Sequence, residues 1–133
     1  MATSVWPTKK SSAMNIEELR DFCLSLGDDV EEKTPFVKFK GGDSVLVFYV
    51  CGHMFCFFDM DVFEVVSVKH HPEAIPDLYE RYSFITEPYN ESRKHWIGIR
   101  IREADNDVAK QLVKESYQIV KEKYKSKHKR YNP

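Results

Sequence analysis

The pattern of apolar and polar positions predicts an amphipathic helix near the start of the chain. Apolar side chains recur at helical spacing from Ile16 to Leu26, and Gly27 follows as a residue that ends helices. Asn15 is placed to cap the first turn, and Glu18 follows three residues later, as in a capping box. A helix with one apolar face needs a sheet or another helix to pack against.

From Phe36 onward the pattern changes to short apolar runs separated by turn residues, which predicts an antiparallel meander. The predicted strands are 36–40, 44–50, 54–58 and 64–69. With Cys51 and Gly52 as a hairpin turn, the expected pairs are Val50 with His53, Phe48 with Phe55 and Leu46 with Phe57. Both faces of this hairpin are apolar. We therefore expect the second face to be covered by another helix, by the N-terminal tail or by a partner.

A short helix, a loop and one more strand are predicted next. The helix begins near Pro76, and the loop covers residues 83–94. The strand runs from Trp96 to Arg102, with three isoleucines on one side and a polar, cationic face on the other. The isoleucine side is expected to face the core.

The last predicted helix runs from about Asp107 to Tyr124 and has two distinct faces. One face is apolar, and a separate arc of about 60° holds the lysine stripe, which is Lys110, Lys114, Lys121 and Lys125. We expect residues 1–13 to be a flexible tail, 14–124 to be a single α+β domain and 125–133 to be a basic tail. The expected fold is an antiparallel sheet of about five strands with the N-terminal and C-terminal helices packed on it.

Composition and cysteine content favour a cytoplasmic globular protein. The chain has 133 residues, of which 42% are hydrophobic, enough for a domain with its own core. Its longest apolar region, 45–58, is shorter than a membrane span and is broken by Gly52 and His53, so no membrane association is expected. Three cysteines are an odd number, which suits reduced thiols better than a disulfide framework.

The charges divide unevenly along the chain. The total is −1, which is not the charge of a strongly cationic nucleic-acid binder. Residues 1–68 carry six basic and eleven acidic side chains, whereas residues 69–133 carry fourteen and ten. The second half can therefore present a basic face.

The densest group of polar and aromatic side chains precedes the last strand, in residues 89–96. Two adjacent cations, an imidazole and two aromatic rings are groups that contact phosphates and stack on sugars or bases. A structural role is the alternative, with Tyr89 and Trp96 in the core and Arg93 and Lys94 merely solvated.

Several motifs together resemble the MmcQ/YjbR-like proteins over residues 14–124. They are the Leu-Arg-Asp-Phe-Cys run at 19–23, Pro35-Phe36, the hairpin at 48–55, His71-Pro72-Glu73, Tyr89-x3-Arg93-Lys94-His95-Trp96 and Ser116-Tyr117. The resemblance implies an α+β fold with an antiparallel sheet in a double-wing arrangement and a DNA-binding role. It does not imply an enzyme, and we expect none. The family pattern usually has Gly before the tyrosine and His after it, where this chain has Pro88 and Asn90.

We therefore expect a protein that binds a polyanion, double-stranded DNA in the first place, without a cofactor. The expected nucleic-acid contacts are Tyr89, Asn90, Arg93, Lys94, His95, Trp96, Arg100, Arg102, Lys110, Lys114 and Lys121. The alternative is a protein-interaction module or homodimer that uses the apolar second face of the sheet. An enzyme that holds a small anionic ligand with Arg93 and His95 ranks last.

A metal site is not expected, although Cys51, His53 and Cys56 are suitable ligand types. On the predicted hairpin, His53 and Cys56 project to opposite faces, so the three side chains do not converge on one ion. No Cys and His pair is placed together by the sequence, so a nucleophilic cysteine is not expected either.

Overall fold

A sheet with helices on one face organises the chain. The computed structural model describes residues 13–38 and 42–130, with side chains up to residue 125. The strands are β1 (Glu31–Lys33), β2 (Val45–Val50), β3 (His53–Asp59), β4 (Val65–Lys69), β5 (Ile85–Thr86) and β6 (Trp96–Arg100). The helices are α1 (Ile16–Ser25), α2 (Ile75–Arg81), which follows a 3-10 turn at Pro72–Ala74, and α3 (Asn106–Arg130). All six strands form one antiparallel sheet in the order β1-β2-β3-β4-β6-β5. The α+β fold is confirmed, with one strand more than expected.

The first helix begins at the predicted capping box. The Asn15 side chain accepts a hydrogen bond from the Glu18 N–H at 2.8 Å, and the Glu18 carboxylate accepts one from the Asn15 N–H at 2.9 Å. These bonds satisfy two backbone donors that the first turn would otherwise leave without a partner. The helix buries Leu19 and Cys23 in the main core, as its apolar spacing predicts.

The last helix is longer than predicted. It begins at Asn106 and continues through Arg130, six residues beyond the expected end at Tyr124. The backbone of 125–130 is therefore helical, and residues 131–133 of the predicted tail lie outside the described part of the chain. The predicted tail at 1–13 also lies almost entirely outside it. Among the described residues, no helix combines the length and the apolar character that crossing a bilayer requires.

The β2–β3 hairpin has the predicted turn but not the predicted register. Cys51 and Gly52 adopt positive φ angles of 53° and 78°, a left-handed pair that matches the twist of a two-residue hairpin. Val50 pairs with His53, as expected. Tyr49 with Met54 keeps this register, and a β-bulge then shifts it, so that the following pairs are Phe48 with Cys56, Val47 with Phe57 and Leu46 with Phe58. The expected pairing of Phe48 with Phe55, and each pair after it, is therefore wrong.

A serine on α3 forms hydrogen bonds with the backbone at the bulge. The Ser116 hydroxyl donates to the carbonyl of Phe55, the extra residue, at 2.5 Å and accepts from the Lys69 N–H of β4 at 2.8 Å. Ser116 has no exposed surface. Because a bulge leaves backbone groups without partners in the ladder, the buried hydroxyl completes the hydrogen bonding between β3 and β4.

The sheet is buried on both faces by this chain. The helices and the face with Phe48, Val66 and Ile97 form the main core. On the opposite face lies the second core, which is Val45, Val47, Phe57 and Trp96, each at most 6% exposed. Phe36 packs against it from a turn. Residues 36–38 form a turn, so the expected strand at 36–40 is wrong for these three residues. Phe39 and Lys40 lie outside the described residues.

The region between β4 and α3 also differs from the prediction in detail. The α2 helix starts one residue before Pro76, and the predicted loop contains the short edge strand β5. The β6 strand ends at Arg100, two residues early, and a turn follows. Its isoleucines at 97, 99 and 101 are buried in the main core, as the alternation predicts.

Candidate nucleic-acid interface

The loop between β5 and β6 is fixed to the sheet at its start. The Tyr89 N–H donates to the hydroxyl of Ser67 on β4 at 3.0 Å, and Ser67 is fully buried. A Cβ atom at Gly98, the residue paired with Ser67, would overlap the carbonyl oxygen of Glu87. Glycine therefore lets the loop backbone cross closely over the second face of the sheet.

The end of the loop is a single tight turn around Ser92. Its carbonyl accepts from the N–H groups of His95 at 3.2 Å and Trp96 at 3.0 Å, and its hydroxyl accepts from the Lys94 N–H at 3.3 Å. The centroid of the Trp96 ring lies 5.5 Å from the centroid of the Phe57 ring in the second core. Being 6% exposed, Trp96 holds the turn in place and offers no ring to a ligand.

Five of the predicted contact residues in the loop are on the surface, and we call them the loop surface. They are Tyr89, Asn90, Arg93, Lys94 and His95, all exposed. Tyr89 is 58% exposed, so it is not a core residue. Asn90 has a φ of 58°, a left-handed conformation that asparagine tolerates better than most residues. The Arg93 guanidinium lies 3.6 Å from the Glu87 carboxylate, a solvent-exposed pair that contributes little stability.

The two arginines of the last strand region lie in different places. Arg100 approaches the hydroxyl of Thr86 at 3.5 Å, next to the residue that Arg93 contacts. It therefore extends the loop surface along the edge of the sheet. Arg102 is exposed in the turn beyond β6, at the opposite end of this strand from the loop.

A groove lies beside the loop surface, where the end of β4 meets the start of β6. Lys69 pairs with Trp96 across the two strands, and the His70 N–H donates to the His95 carbonyl at 2.9 Å. Together with one side of α3 these residues enclose about 740 Å³. We call it the histidine groove, lined by Lys69, His70, His71, Pro72, His95, Glu115, Gln118, Ile119, Glu122 and Lys123.

His70 is held in one orientation by partners on both ring nitrogens. Its Nδ1 accepts from the His71 N–H at 2.9 Å, and its Nε2 lies 3.0 Å from the Glu115 carboxylate. An Nδ1 that accepts carries no proton, so Nε2 carries the proton and donates to Glu115. Glu115 also accepts from Gln111 at 3.2 Å. His70 is therefore part of the framework that joins β4 to α3.

The acidic side chains of the groove each contact a histidine or a lysine, whereas four of its basic side chains have no carboxylate partner among the described residues. Glu115 contacts His70 at 3.0 Å, and Glu122 lies 3.4 Å from the Lys125 ammonium. No described carboxylate lies within ion-pair distance of Lys69, His71, His95 or Lys123. The end of the sheet next to the loop surface therefore adds two lysines, Lys69 and Lys123, that no described carboxylate pairs with.

The lysine stripe lies on the other flank of α3. Lys110 sits 5.7 Å from the ring of Phe22 on α1, and Lys121 pairs with Asp29, just after α1, at 2.9 Å. Lys114 is exposed one turn after Lys110. At 100° per residue, Ile119 of the groove lies about 160–180° from Lys110 and Lys121, whereas Gln118 lies only about 40° from Lys114. Two of the stripe lysines therefore contact the α1 side of the domain, and the role of the stripe in nucleic-acid binding stays a prediction.

Lys121 belongs to a hydrogen-bonded network that ties the segment after α1 to α3. Besides Asp29, its ammonium contacts the Tyr117 hydroxyl at 3.1 Å, and that hydroxyl donates to Asp29 at 2.8 Å. Partial burial acts to raise the pKa of Asp29, but the hydrogen bonds from Lys121 and Tyr117 outweigh it and lower the pKa below its ordinary value. Lys121 thus serves the fold.

The residues considered for a metal site do not converge. Cys56 is buried in the main core, whereas the exposed His53 stacks on the Tyr124 ring at a centroid distance of 3.4 Å. Within the described residues there is no cluster of three or more His, Cys, Asp or Glu side chains suited to a metal ion.

Sequence reasoning missed Lys69, His71 and Lys123 as neighbours of the loop surface. The sequence did contain a signal for Lys69 and His71. Lys69 to His71 end one predicted strand, and Arg93 to His95 precede another, so antiparallel pairing of these strands brings the two basic runs to one edge. Lys123 depends on how α3 crosses the sheet, which the local pattern does not specify.

The sequence between residues 24 and 119 matches the family model named YjbR. This chain belongs to the YjbR family. Its fold is similar to that of a Deinococcus radiodurans protein with the domain DUF419, with a TM-score of 0.70 and 24% identity over 82% of this chain and 80% of that one. It is also similar to a Pseudomonas syringae protein, with a TM-score of 0.66 and 19% identity over 80% and 99% of the two chains. At these identities the likeness shows the YjbR fold alone. None of the curated proteins matches this chain.

Proposed function

We propose that this YjbR domain binds double-stranded DNA through the loop surface and Arg100, by contacts to phosphates. The observation that supports the proposal is a hydrogen-bonded turn that exposes Arg93, Lys94 and His95 beside the groove that holds Lys69 and Lys123. In this proposal the domain acts by binding, without a chemical step. Its three cysteines carry free thiols, which supports the cytoplasmic location that we also propose.

The proposed mechanism is neutralisation of phosphate charge. Each cation that meets a phosphate releases counterions from the duplex, so the affinity decreases as the salt concentration rises. The exposed Tyr89 ring is available to contact a sugar, whereas Trp96 contributes by holding the turn. Phosphate contacts position a protein without reading bases, so we propose no sequence preference.

Fluorescence anisotropy with a labelled random duplex of about 20 base pairs tests this proposal. The protein is titrated at about 50 mM and about 200 mM salt, as wild type and as Arg93→Ala/Lys94→Ala. We expect the double variant to bind more weakly and to reduce the slope of log affinity against log salt by about 1.8, because two phosphate contacts are lost.

The matched control is Lys110→Ala/Lys114→Ala, which removes the same net charge from the other flank of α3. Its salt slope should stay within about 0.5 of the wild-type slope, because these lysines would contact no phosphate. The proposal fails when the wild type does not bind at the lower salt concentration, or when both double variants lose the same affinity.

A further inference from the structure

We propose that the histidine groove is a binding site for a small phosphomonoester, which goes beyond the binding of duplex DNA. The groove encloses about 740 Å³, within the range of about 300–1,000 Å³ that is typical of small-molecule sites. It is bounded by the end of β4, the start of β6 and one flank of α3. Three separate elements thus hold its walls in place.

The basic groups of the groove suit a dianion. Lys69 and Lys123 are ammonium donors, and His71 and His95 are exposed imidazoles on the walls. None of the four has a described carboxylate within ion-pair distance. A phosphomonoester carries up to two negative charges and three strong acceptor oxygens, so it can take donors from several of these groups at once.

Aromatic rings lie against both ammonium groups. The Nζ of Lys69 lies 5.9 Å from both the Trp96 and the Tyr124 ring centroids. The Nζ of Lys123 lies 5.4 Å from the same Tyr124 ring. Cation–π attraction restricts where long lysine side chains reach, so the cost of ordering them around an anion is reduced.

The groove also offers apolar surface to the rest of the ligand. Pro72 and Ile119 line it beside the basic groups, and the exposed Gln118 amide supplies both a donor and an acceptor. Inorganic phosphate would leave this surface unused. A phosphomonoester with an attached sugar or nucleoside would contact it, and these two sources of the group need separate probes.

Isothermal titration calorimetry at low salt tests the site with adenosine 5′-monophosphate, ribose 5-phosphate, inorganic phosphate and adenosine as probes. We expect at least one of the two phosphomonoesters to bind, more tightly than inorganic phosphate, and adenosine not to bind. Binding of adenosine 5′-monophosphate without binding of ribose 5-phosphate would identify a nucleotide site. Binding of both compounds would identify a sugar phosphate site. If neither phosphomonoester gives heat at about 10 mM, the proposal is overturned. A Kd above about 10 mM corresponds to a binding free energy below about 3 kcal/mol, which is too weak for a specific site.

Variants locate the site. Lys69→Gln/Lys123→Gln should weaken binding of the phosphomonoester at least about tenfold, since both charged donors to the phosphate are removed. The control Lys110→Gln/Lys114→Gln removes the same charge outside the groove and should change affinity less than about twofold. A loss of the same size in both double variants overturns the proposal.

A second variant covers the case in which the lysine substitutions disturb the fold. Gln118→Trp fills the groove from an exposed position on α3 and should abolish binding with an unchanged thermal midpoint. Retained binding in this variant overturns the proposal. The same wild-type protein is titrated with duplex DNA, so that a protein that binds DNA but no phosphomonoester refutes the groove and leaves the proposed function in place.

Discussion

Removing the Ser116 hydroxyl is expected to destabilise the domain although it changes only one atom. This hydroxyl donates to the Phe55 carbonyl at 2.5 Å and accepts from the Lys69 N–H at 2.8 Å. Alanine preserves the helix and the volume of the site but leaves both backbone groups buried without a partner. The substitution therefore removes only the hydrogen bonds by which Ser116 links Phe55, at the bulge in β3, to Lys69 on β4.

The expected cost follows from the two unsatisfied groups. A buried donor or acceptor left without a hydrogen bond costs about 1–3 kcal/mol, and water cannot replace the hydroxyl at a position with no exposed surface. Ser116→Ala should therefore lower the free energy of unfolding by about 2–4 kcal/mol, a large part of the 5–15 kcal/mol typical of a domain. The end of β4, which carries Lys69 into the groove, would lose one hydrogen-bonded link to α3 and keep the other, from His70 to Glu115.

Urea unfolding monitored by circular dichroism measures this cost, with the slope m expected to stay unchanged. The matched control is Ser25→Ala, which removes an exposed helical hydroxyl that donates to the Phe22 carbonyl, and it should change stability by less than about 0.5 kcal/mol. A loss below about 0.5 kcal/mol for Ser116→Ala would refute the reasoning. It would show that the Lys69 N–H and the Phe55 carbonyl pair directly once the hydroxyl is gone.

Three further substitutions test other parts of the structure by urea unfolding. Gly98→Ala places a Cβ against the Glu87 carbonyl and should cost about 1–3 kcal/mol, and an unchanged midpoint would contradict the close crossing. Gly52→Ala meets no atom within 4 Å but has a φ of 78°, so backbone strain alone should cost about 1 kcal/mol, and a gain in stability would argue against it. Asp29→Asn should destabilise at neutral pH by removing the partner of Lys121. Because the pKa of Asp29 is lowered by folding, its contribution is present above about pH 4 and is lost as the pH falls through the folded value. The difference between wild type and variant should therefore shrink in acid, and a constant difference would contradict the assignment.

Elements that are specified by a local sequence pattern could be predicted from the sequence. The capping box at Asn15 and Glu18 specifies a helix start through local hydrogen bonds, and the structure places it there. Alternation in β6 separates the isoleucines from the opposite face in the same local way. Each of these signals depends on neighbours within a few residues, so no tertiary information was needed.

The hairpin register could not be predicted, because both faces of β2 and β3 are apolar. In an ordinary half-buried strand, polar residues mark the outer face, and a shift of one residue would expose the core side. Here such a shift exchanges apolar side chains for other apolar side chains. The bulge at Phe55 is instead stabilised by Ser116, a residue 61 positions away in the sequence.

The candidate site was predicted in part for a similar reason. The loop motif at 89–96 is continuous in sequence, and the structure places its exposed members together. The lysine stripe is also continuous on its helix, but which neighbour it faces depends on how α3 packs against α1. Trp96 illustrates the same limit, since an aromatic side chain beside cations fits either a ligand surface or the core that it occupies.

The most direct test of the central claim is a titration of ¹⁵N-labelled protein with a duplex of about 20 base pairs at low salt, followed by amide chemical shifts. We expect the largest shifts on Tyr89 to His95 and on Arg100, and we expect Lys110 and Lys114 to stay unperturbed. Shifts that follow the lysine stripe along α3, or no shifts at millimolar DNA, would contradict it.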